Sequence, residues 1–270
     1  MTRAQRPCVL VFAGHDPSGG AGIQADIEAI AAQGAHALPV ITALTVQDND
    51  HAYAVHAVDA QIILQQAMTL VAKIPVSVVK IGIVAHKKNA AAIARFIEQL
   101  RQKRPQLHVI VDPVLGSGQG DRLSLDDAIE AIQPLLSVAT LITPNLPELS
   151  RLSASADGVD AQAQALLLST SADVLVKGGH GCEDQVRNSW YQTQHLQATQ
   201  EWRWPKLAGE FHGSGCTLAS AIAGRLAMGD SLPRALDQAQ RYTQASLAHA
   251  YAIAPGQLIP QRERRNDQYD

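Results

Sequence analysis

Aromatic residues make up only 4% of this 270-residue chain and charged residues only 17%, with a net charge of −3. That balance gives no support to a strongly basic nucleic-acid binder, and so little charge excludes a long coiled coil laced with salt bridges. Cysteine is scarce: Cys8, Cys182 and Cys216 form an odd set without paired spacing, which argues against a disulfide scaffold and a zinc ribbon. No run of eighteen apolar residues occurs, and the short polar stretch 1–7 lacks the apolar core of a signal peptide. A soluble protein of a reducing, cytoplasmic compartment is expected, with no membrane and no nucleic-acid partner. There is no G-x-x-x-x-G-K-[ST] phosphate loop, and the ten histidines show no metal-ligand spacing.

What is present is a hydrophobic content of 46%, ample for a full core at this length. Short β-rich runs alternate with longer helical ones. Strands are expected at 8–13, 38–46, 76–84, 107–111, 140–143 and 174–176. Helices are expected at 21–33, 60–73, 89–102, 126–136, 160–169, 216–228 and 232–251. Strands separated by helices of this length imply right-handed βαβ units and a mostly parallel sheet covered on both faces. Residues 185–204 alternate and carry Trp190, Tyr191, Trp202 and Trp204, which predicts an antiparallel hairpin at the sheet edge. The expected organisation is one domain over 1–260, followed by a frayed polar tail over 261–270.

In such sheets ligands bind beyond the carboxyl ends of the strands. The most informative loop is His212-Gly213-Ser214-Gly215-Cys216, which opens an apolar helix. Small residues let the backbone approach an anion, and the unpaired N–H groups and dipole of the first turn attract it. An ordinary N-terminal cap is the competing reading. Cys216 at a helix start is placed to serve as a base or nucleophile through a depressed thiol pKa, or to pack inertly. His212, four residues earlier, is its candidate partner.

Asp112, before Pro113 at a strand end, is placed to face magnesium or phosphate. Asn145 and Glu148 offer an amide and a carboxylate together, or simply cap a helix. Lys177 leaves a buried strand ahead of two glycines. Gly116-Ser117-Gly118-Gln119-Gly120 reads either as a surface loop or as a flap over a ligand.

These pieces lie in one βα order. The sequence resembles the hydroxymethylpyrimidine/phosphomethylpyrimidine kinases of thiamine biosynthesis, a branch of the ribokinase-like superfamily. The resemblance is carried by Gly14-x-Asp16-Pro17-Ser18-Gly19-Gly20-Ala21-Gly22-Ile23-Gln24-Ala25-Asp26, Val40-Ile41-Thr42-Ala43-Leu44, Lys80-Ile81-Gly82, Asp112-Pro113-Val114, Thr143-Pro144-Asn145-Leu146-Pro147-Glu148, Lys177-Gly178-Gly179-His180 and His212-Gly213-Ser214-Gly215-Cys216-Thr217. It runs in order from about residue 8 to residue 255.

The resemblance implies a three-layer αβα ribokinase-like fold. It also implies ATP-dependent phosphorylation of 4-amino-5-hydroxymethyl-2-methylpyrimidine and then of its monophosphate. On the family pattern Cys216 takes the place of the sugar-kinase catalytic Asp, Gly213, Ser214 and Gly215 form the anion hole, and Lys177 contacts phosphate. Asp112, Asn145 and Glu148 become magnesium–phosphate surroundings, with Mg2+ bound largely through water near Asp112 and Glu148. Gly14, Asp26, Gln47 and Ile83 fall at substrate-binding positions. Analogy suggests a homodimer.

Two departures stand out. Ile83 replaces a commoner Met, and 115–121 carries extra glycine where the family has a more basic stretch, which puts the second phosphorylation in question. The alternatives are a pyridoxal/pyridoxine kinase of the same superfamily, a cysteine hydrolase using Cys216 as nucleophile and His212 as base, and a sensor that has lost turnover.

Overall fold

The computed structural model describes residues 5–179, 184–193, 195 and 197–263. A single nine-stranded sheet organises it: β1 (Cys8–His15), β2 (His36–Gln47), β3 (Ala52–Ala57), β4 (Val76–Ile81), β5 (His108–Val111), β6 (Leu141–Ile142), β7 (Asp173–Val176), β8 (Gln185–Tyr191) and β9 (Gln200–Pro205). Their spatial order is β3-β2-β1-β4-β5-β6-β7-β8-β9. From β2 through β7 all neighbours are parallel, whereas β3, β8 and β9 pair antiparallel. The expected hairpin over 185–204 is therefore present as β8 and β9. A second antiparallel edge, β3, was not expected.

Side-chain alternation assigns the two faces. In β1, Val9, Val11 and Ala13 pack into one core and Leu10 and Phe12 into the other. The same parity continues in β4 (Val78 against Val79 and Ile81), β5 (Ile110 against Val109 and Val111) and β7 (Leu175 against Val174 and Val176).

Helices α1 (Gly22–Ala32), α7 (Ser214–Ala227) and α8 (Leu232–Ala248) cover the first face. The opposite face carries α2 (Ala60–Lys73), α3 (Lys87–Lys103), α4 (Ala128–Leu136), the short α5 (Leu146–Leu152) and α6 (Val159–Thr170). No helix among the described residues is long and apolar enough to cross a membrane.

The chain runs outward from β1 to β2 and then returns to place β4 on the other side of β1. At such a reversal the loops beyond neighbouring strands diverge and leave a crevice. The β1 register against β2 shifts between Ala13 and Gly14, so the end of β1 departs from regular pairing as it enters that crevice. Helix α7 packs over β4 with β1 and β5 beside it, so its N-terminus reaches the same crevice.

Candidate active site

Beyond the strand ends lies a cavity of about 780 Å3. Gly14, Gln47 and Ile83 reach it from β1, β2 and the end of β4, and Asp112, Asn145, Glu148 and Lys177 from the ends of β5, β6 and β7. Gly213, Ser214, Gly215 and Cys216 enter between these groups, because α7 lies over the strands that separate them. Eleven of the twelve predicted site positions thus line one space; the exception is Asp26.

The anion turn is built from backbone. Gly213 sits at φ +74°, and an added Cβ would come 2.1 Å from the Gly20 carbonyl oxygen, so only glycine fits this close approach. As the N-cap of α7 it offers no side-chain oxygen, leaving the first-turn donors without a side-chain cap. The Gly-Ser-Gly turn thus supplies the N-cap residue of α7 but no side-chain cap bond. At Gly215 the ideal Cβ position lies 3.0 Å from Lys177 Nζ and 3.6 Å from Asp112 Oδ2, which brings the lysine ammonium against the turn.

Lys177 Nζ donates to Asp112 Oδ1 at 2.7 Å and stands 4.0 Å from Glu148 Oε2. Thr143 Oγ1 donates to the same Asp112 oxygen at 3.2 Å. Burial works against the charged forms, but the Lys177 and Lys80 cations hold the Asp112 carboxyl below its usual range. Lys177 is pulled down by burial and carried above its ordinary value by Asp112 and Glu148. Glu148 goes the other way. Burial pushes it up to about 7, with Lys177 opposing and Asp112 reinforcing. Both sequence readings of Asn145 and Glu148 hold together: they form a reciprocal capping box at 2.8 Å in each direction while lining the cavity.

Cys216 corrects one expectation. Its thiol lies not below but above the ordinary value, at about 11. Burial is the main cause, Asp112 and Asp26 add to it, and Lys80 and the Gly22 N–H oppose it. Nor does the structure pair Cys216 with His212. The His212 Nε2 atom lies 2.8 Å from Asp16 Oδ2, so the hydrolase couple has no geometric support.

Asp16 is a site residue that sequence reasoning left without a role. Its oxygens accept from the Ser18 N–H and hydroxyl, both at 2.8 Å, and from the Ala21 N–H at 2.7 Å. Burial opposes ionisation, but His212 and Ser18 outweigh it, with Gln47 adding, and Asp16 falls to about 2.

Asp26 corrects another expectation. It has no exposed surface and does not line the cavity. Its Oδ1 accepts from Lys80 Nζ at 2.7 Å and from Ser220 Oγ at 2.6 Å, forming a buried ion pair beneath the site, while Oδ2 is buried with no hydrogen-bond partner among the described residues. Asp26 falls between Ile23 and Ile30 at helical spacing, and Lys80 stands alone in an apolar strand. Those opposite charges at core positions were the legible signal.

The 115–121 segment lines the cavity through Leu115, Gly116, Ser117, Gly118 and Gly120, as the flap reading expected. Asp121 Oδ2 fastens it to the start of β3 by accepting from the Ala52 N–H at 2.9 Å. Arg151 donates to the Leu115 carbonyl at 3.2 Å, placing on the cavity wall a cation that the flap itself lacks. His180 and Gly181 of the lysine loop, together with Cys182, lie outside the described residues.

The family described as phosphomethylpyrimidine kinase matches residues 16–260, which span this arrangement from Asp16 onward. The chain belongs to that family. The kinase is 35% identical over 254 residues to the hydroxymethylpyrimidine/phosphomethylpyrimidine kinase of Rhizobium meliloti, covering 92% of this chain and 93% of that protein. It is 34% identical over 263 residues to the thiamine biosynthesis multifunctional protein ThiED of Corynebacterium efficiens, covering 94% of this chain but only 34% of that longer protein.

Among solved structures, the phosphomethylpyrimidine kinase of Clostridium difficile 630 superposes with a TM-score of 0.72 at 29% identity, over 90% of this chain and all of that one. The Bacillus subtilis pyridoxal kinase, solved as an ADP complex, gives a TM-score of 0.81 at 24% identity, over 96% and 98% of the two chains. The fold of the kinase is ribokinase-like, with a mostly parallel central sheet and helices on both faces.

Proposed function

We propose that this kinase transfers the terminal phosphoryl group of ATP to the hydroxymethyl oxygen of 4-amino-5-hydroxymethyl-2-methylpyrimidine, and then phosphorylates the monophosphate to the pyrophosphate. The observation that carries the reading is the position of the open α7 N-terminus, with Lys177 against it, between two groups of cavity residues. Phosphoryl transfer needs little covalent help from protein. It needs the two oxygens brought into line and charge on the transferring group stabilised. The Gly213, Ser214 and Gly215 N–H groups and the Lys177 ammonium meet the second need. Gly14, Gln47 and Ile83 supply a wall of backbone, amide and apolar surface suited to an aminopyrimidine edge.

In this reading Cys216 accepts the proton of the attacking hydroxyl as the new P–O bond forms and the bond to the ADP oxygen breaks. Its high resting pKa means that it begins as the thiol, so its own proton must first pass to solvent before it can take the proton of the hydroxyl.

The donor set fits magnesium in one form only. Asp112 and Glu148 offer hard oxygens, yet no cluster of three or more His, Cys, Asp or Glu among the described residues could cage a metal. An ion held mainly by water and phosphate, with these two carboxylates outside it, suits that set. Bound there, Mg2+ would neutralise charge on the ATP phosphates. The reading further places a single kinase domain over 1–260 in the cytoplasm as a homodimer.

A product-resolved assay with purified protein, ATP, magnesium salt and the hydroxymethylpyrimidine, with pyridoxal in parallel, tests the proposal. Monophosphate followed by pyrophosphate is the expected course. Monophosphate alone would remove the second step and implicate the glycine-rich 115–121 segment. Turnover of pyridoxal alone would overturn the substrate assignment.

A further inference from the structure

We propose that Arg262 is a positioning residue for phosphoryl transfer: from the C-terminal segment it ties the β1–α1 loop to the first turn of α7 and so fixes the anion turn. The inference rests on the reading just given for that turn. Arg262 is 1% exposed, although it stands in a stretch that reads as polar tail. Burying a guanidinium is costly unless its donors are met. Here Nε donates to Thr217 Oγ1 at 2.8 Å, Nη2 to the Gly20 carbonyl and Nη1 to Glu28 Oε2 at 3.1 Å.

Two of those partners belong to the transfer site's framework. The Thr217 hydroxyl that accepts from Arg262 donates onward to the Gly213 carbonyl at 2.8 Å, and the Thr217 N–H bonds the same oxygen at 2.9 Å. Gly20 is the residue whose carbonyl lies against Gly213, and the ideal Cβ position of Gly213 is 3.0 Å from Arg262 Nη2. One planar group thus holds both sides of the closest backbone approach in the site. Lysine, a single flexible point charge, cannot span such a set in the same way.

The segment that presents Arg262 is itself pinned. Gln261 N–H donates to the Ser246 carbonyl at 2.9 Å, and the Tyr242 hydroxyl to the Arg262 carbonyl at 2.8 Å. Just upstream, the His212 N–H donates to the Leu258 carbonyl at 2.9 Å, directly before the turn. Because Arg262 does not line the cavity, it acts through Gly213 and Thr217 and not on substrate. The Glu28 contact is half in solvent and serves as the control.

The test compares Arg262→Met, Arg262→Lys and Glu28→Gln in the full chain. Steady-state kinetics are run beside amide hydrogen exchange of 20–22, 213–217 and, as reference, α2. Arg262→Met is expected to lower kcat about tenfold or more while the pyrimidine KM moves less than about threefold. It should also speed exchange in 213–217 by about tenfold with α2 unchanged. Arg262→Lys should fall between, and Glu28→Gln should stay within about twofold of the parent kcat.

An Arg262→Met kcat within about twofold of the parent, or exchange that accelerates equally in α2, overturns the proposal. If Arg262→Met does not fold, Arg262→Lys decides, and parental kcat and exchange refute the role. Exchange needs no substrate, so a parent protein inactive on the pyrimidine would defeat the proposed function and still leave Arg262 judged on its own.

Discussion

Replacing Glu148 with glutamine isolates the one carboxyl that the site moves into the working pH range. Glu148 is 9% exposed; burial raises its pKa from 4.5 to about 7, against the pull of Lys177 and with Asp112 reinforcing. A raised carboxyl binds its proton more tightly in the folded than in the unfolded chain. Its contribution to stability is complete below about pH 4.5 and is lost as pH rises through about 7. At about 1.4 kcal/mol per unit, the full loss is on the order of 3 kcal/mol, most of it falling between about pH 5 and about pH 8.

In Glu148→Gln the new amide oxygen can still accept from the Asn145 N–H, so the capping box that starts α5 survives while the titration disappears. Urea unfolding followed by tryptophan fluorescence reads this directly, since Trp190 and Trp202 are buried on β8 and β9. Relative to Glu148→Gln, the parent should lose on the order of 2–3 kcal/mol of stability between those two pH values. A difference that changes by less than about 0.5 kcal/mol, or that grows with pH, would refute the account of what burial and Asp112 do to this group.

Cys216→Ala should cut kcat by about 10²-fold or more with little change in pyrimidine affinity by calorimetry, and parental turnover would remove Cys216 as the base. Gln47→Ala should raise the pyrimidine KM about tenfold with a smaller effect on kcat, and an unchanged KM would break the assignment of that wall. Lys80→Met should destabilise by about 3–5 kcal/mol because it strands the Asp26 carboxylate, and adding Asp26→Asn should restore part of that. Equal stability of the single and double variants in urea would show that the pair is not coupled.

The parallel centre of the sheet was legible because buried strands between amphipathic helices leave a strong two-faced pattern. β3 left none. Its own side chains are half-buried or exposed, with Tyr53 68% exposed, and beside it the apolar Leu44 and Val46 of β2 point to solvent at 49% and 52%, so no apolar alternation marks the edge. The loops were readable as site loops, since Gly, Asp and Asn cluster where strands end. Side-chain destinations were not. Asp26 and His212 both belong to the motif runs, yet the fold sends Asp26 beneath the cavity to Lys80 and turns His212 to Asp16. Arg262 was hidden for a related reason: in a polar stretch, nothing local distinguishes a solvated arginine from one whose partners lie far back in the chain, at Thr217 and farther still at Gly20.

A thiol at the α7 N-terminus makes electrostatic sense in this setting. The space already holds Asp112, with Asp26 beneath it, each matched to one lysine, and both carboxylates raise the Cys216 pKa. A third ionised carboxylate there would meet both while the helix dipole and two committed ammonium groups were its main counterweights. It would also repel the polyphosphate that the turn is shaped to receive. A thiol stays neutral at rest, so the resting turn adds no negative charge of its own to that of Asp112 and Asp26. Glu148 follows the same logic, since a pKa of about 7 keeps much of it neutral near physiological pH.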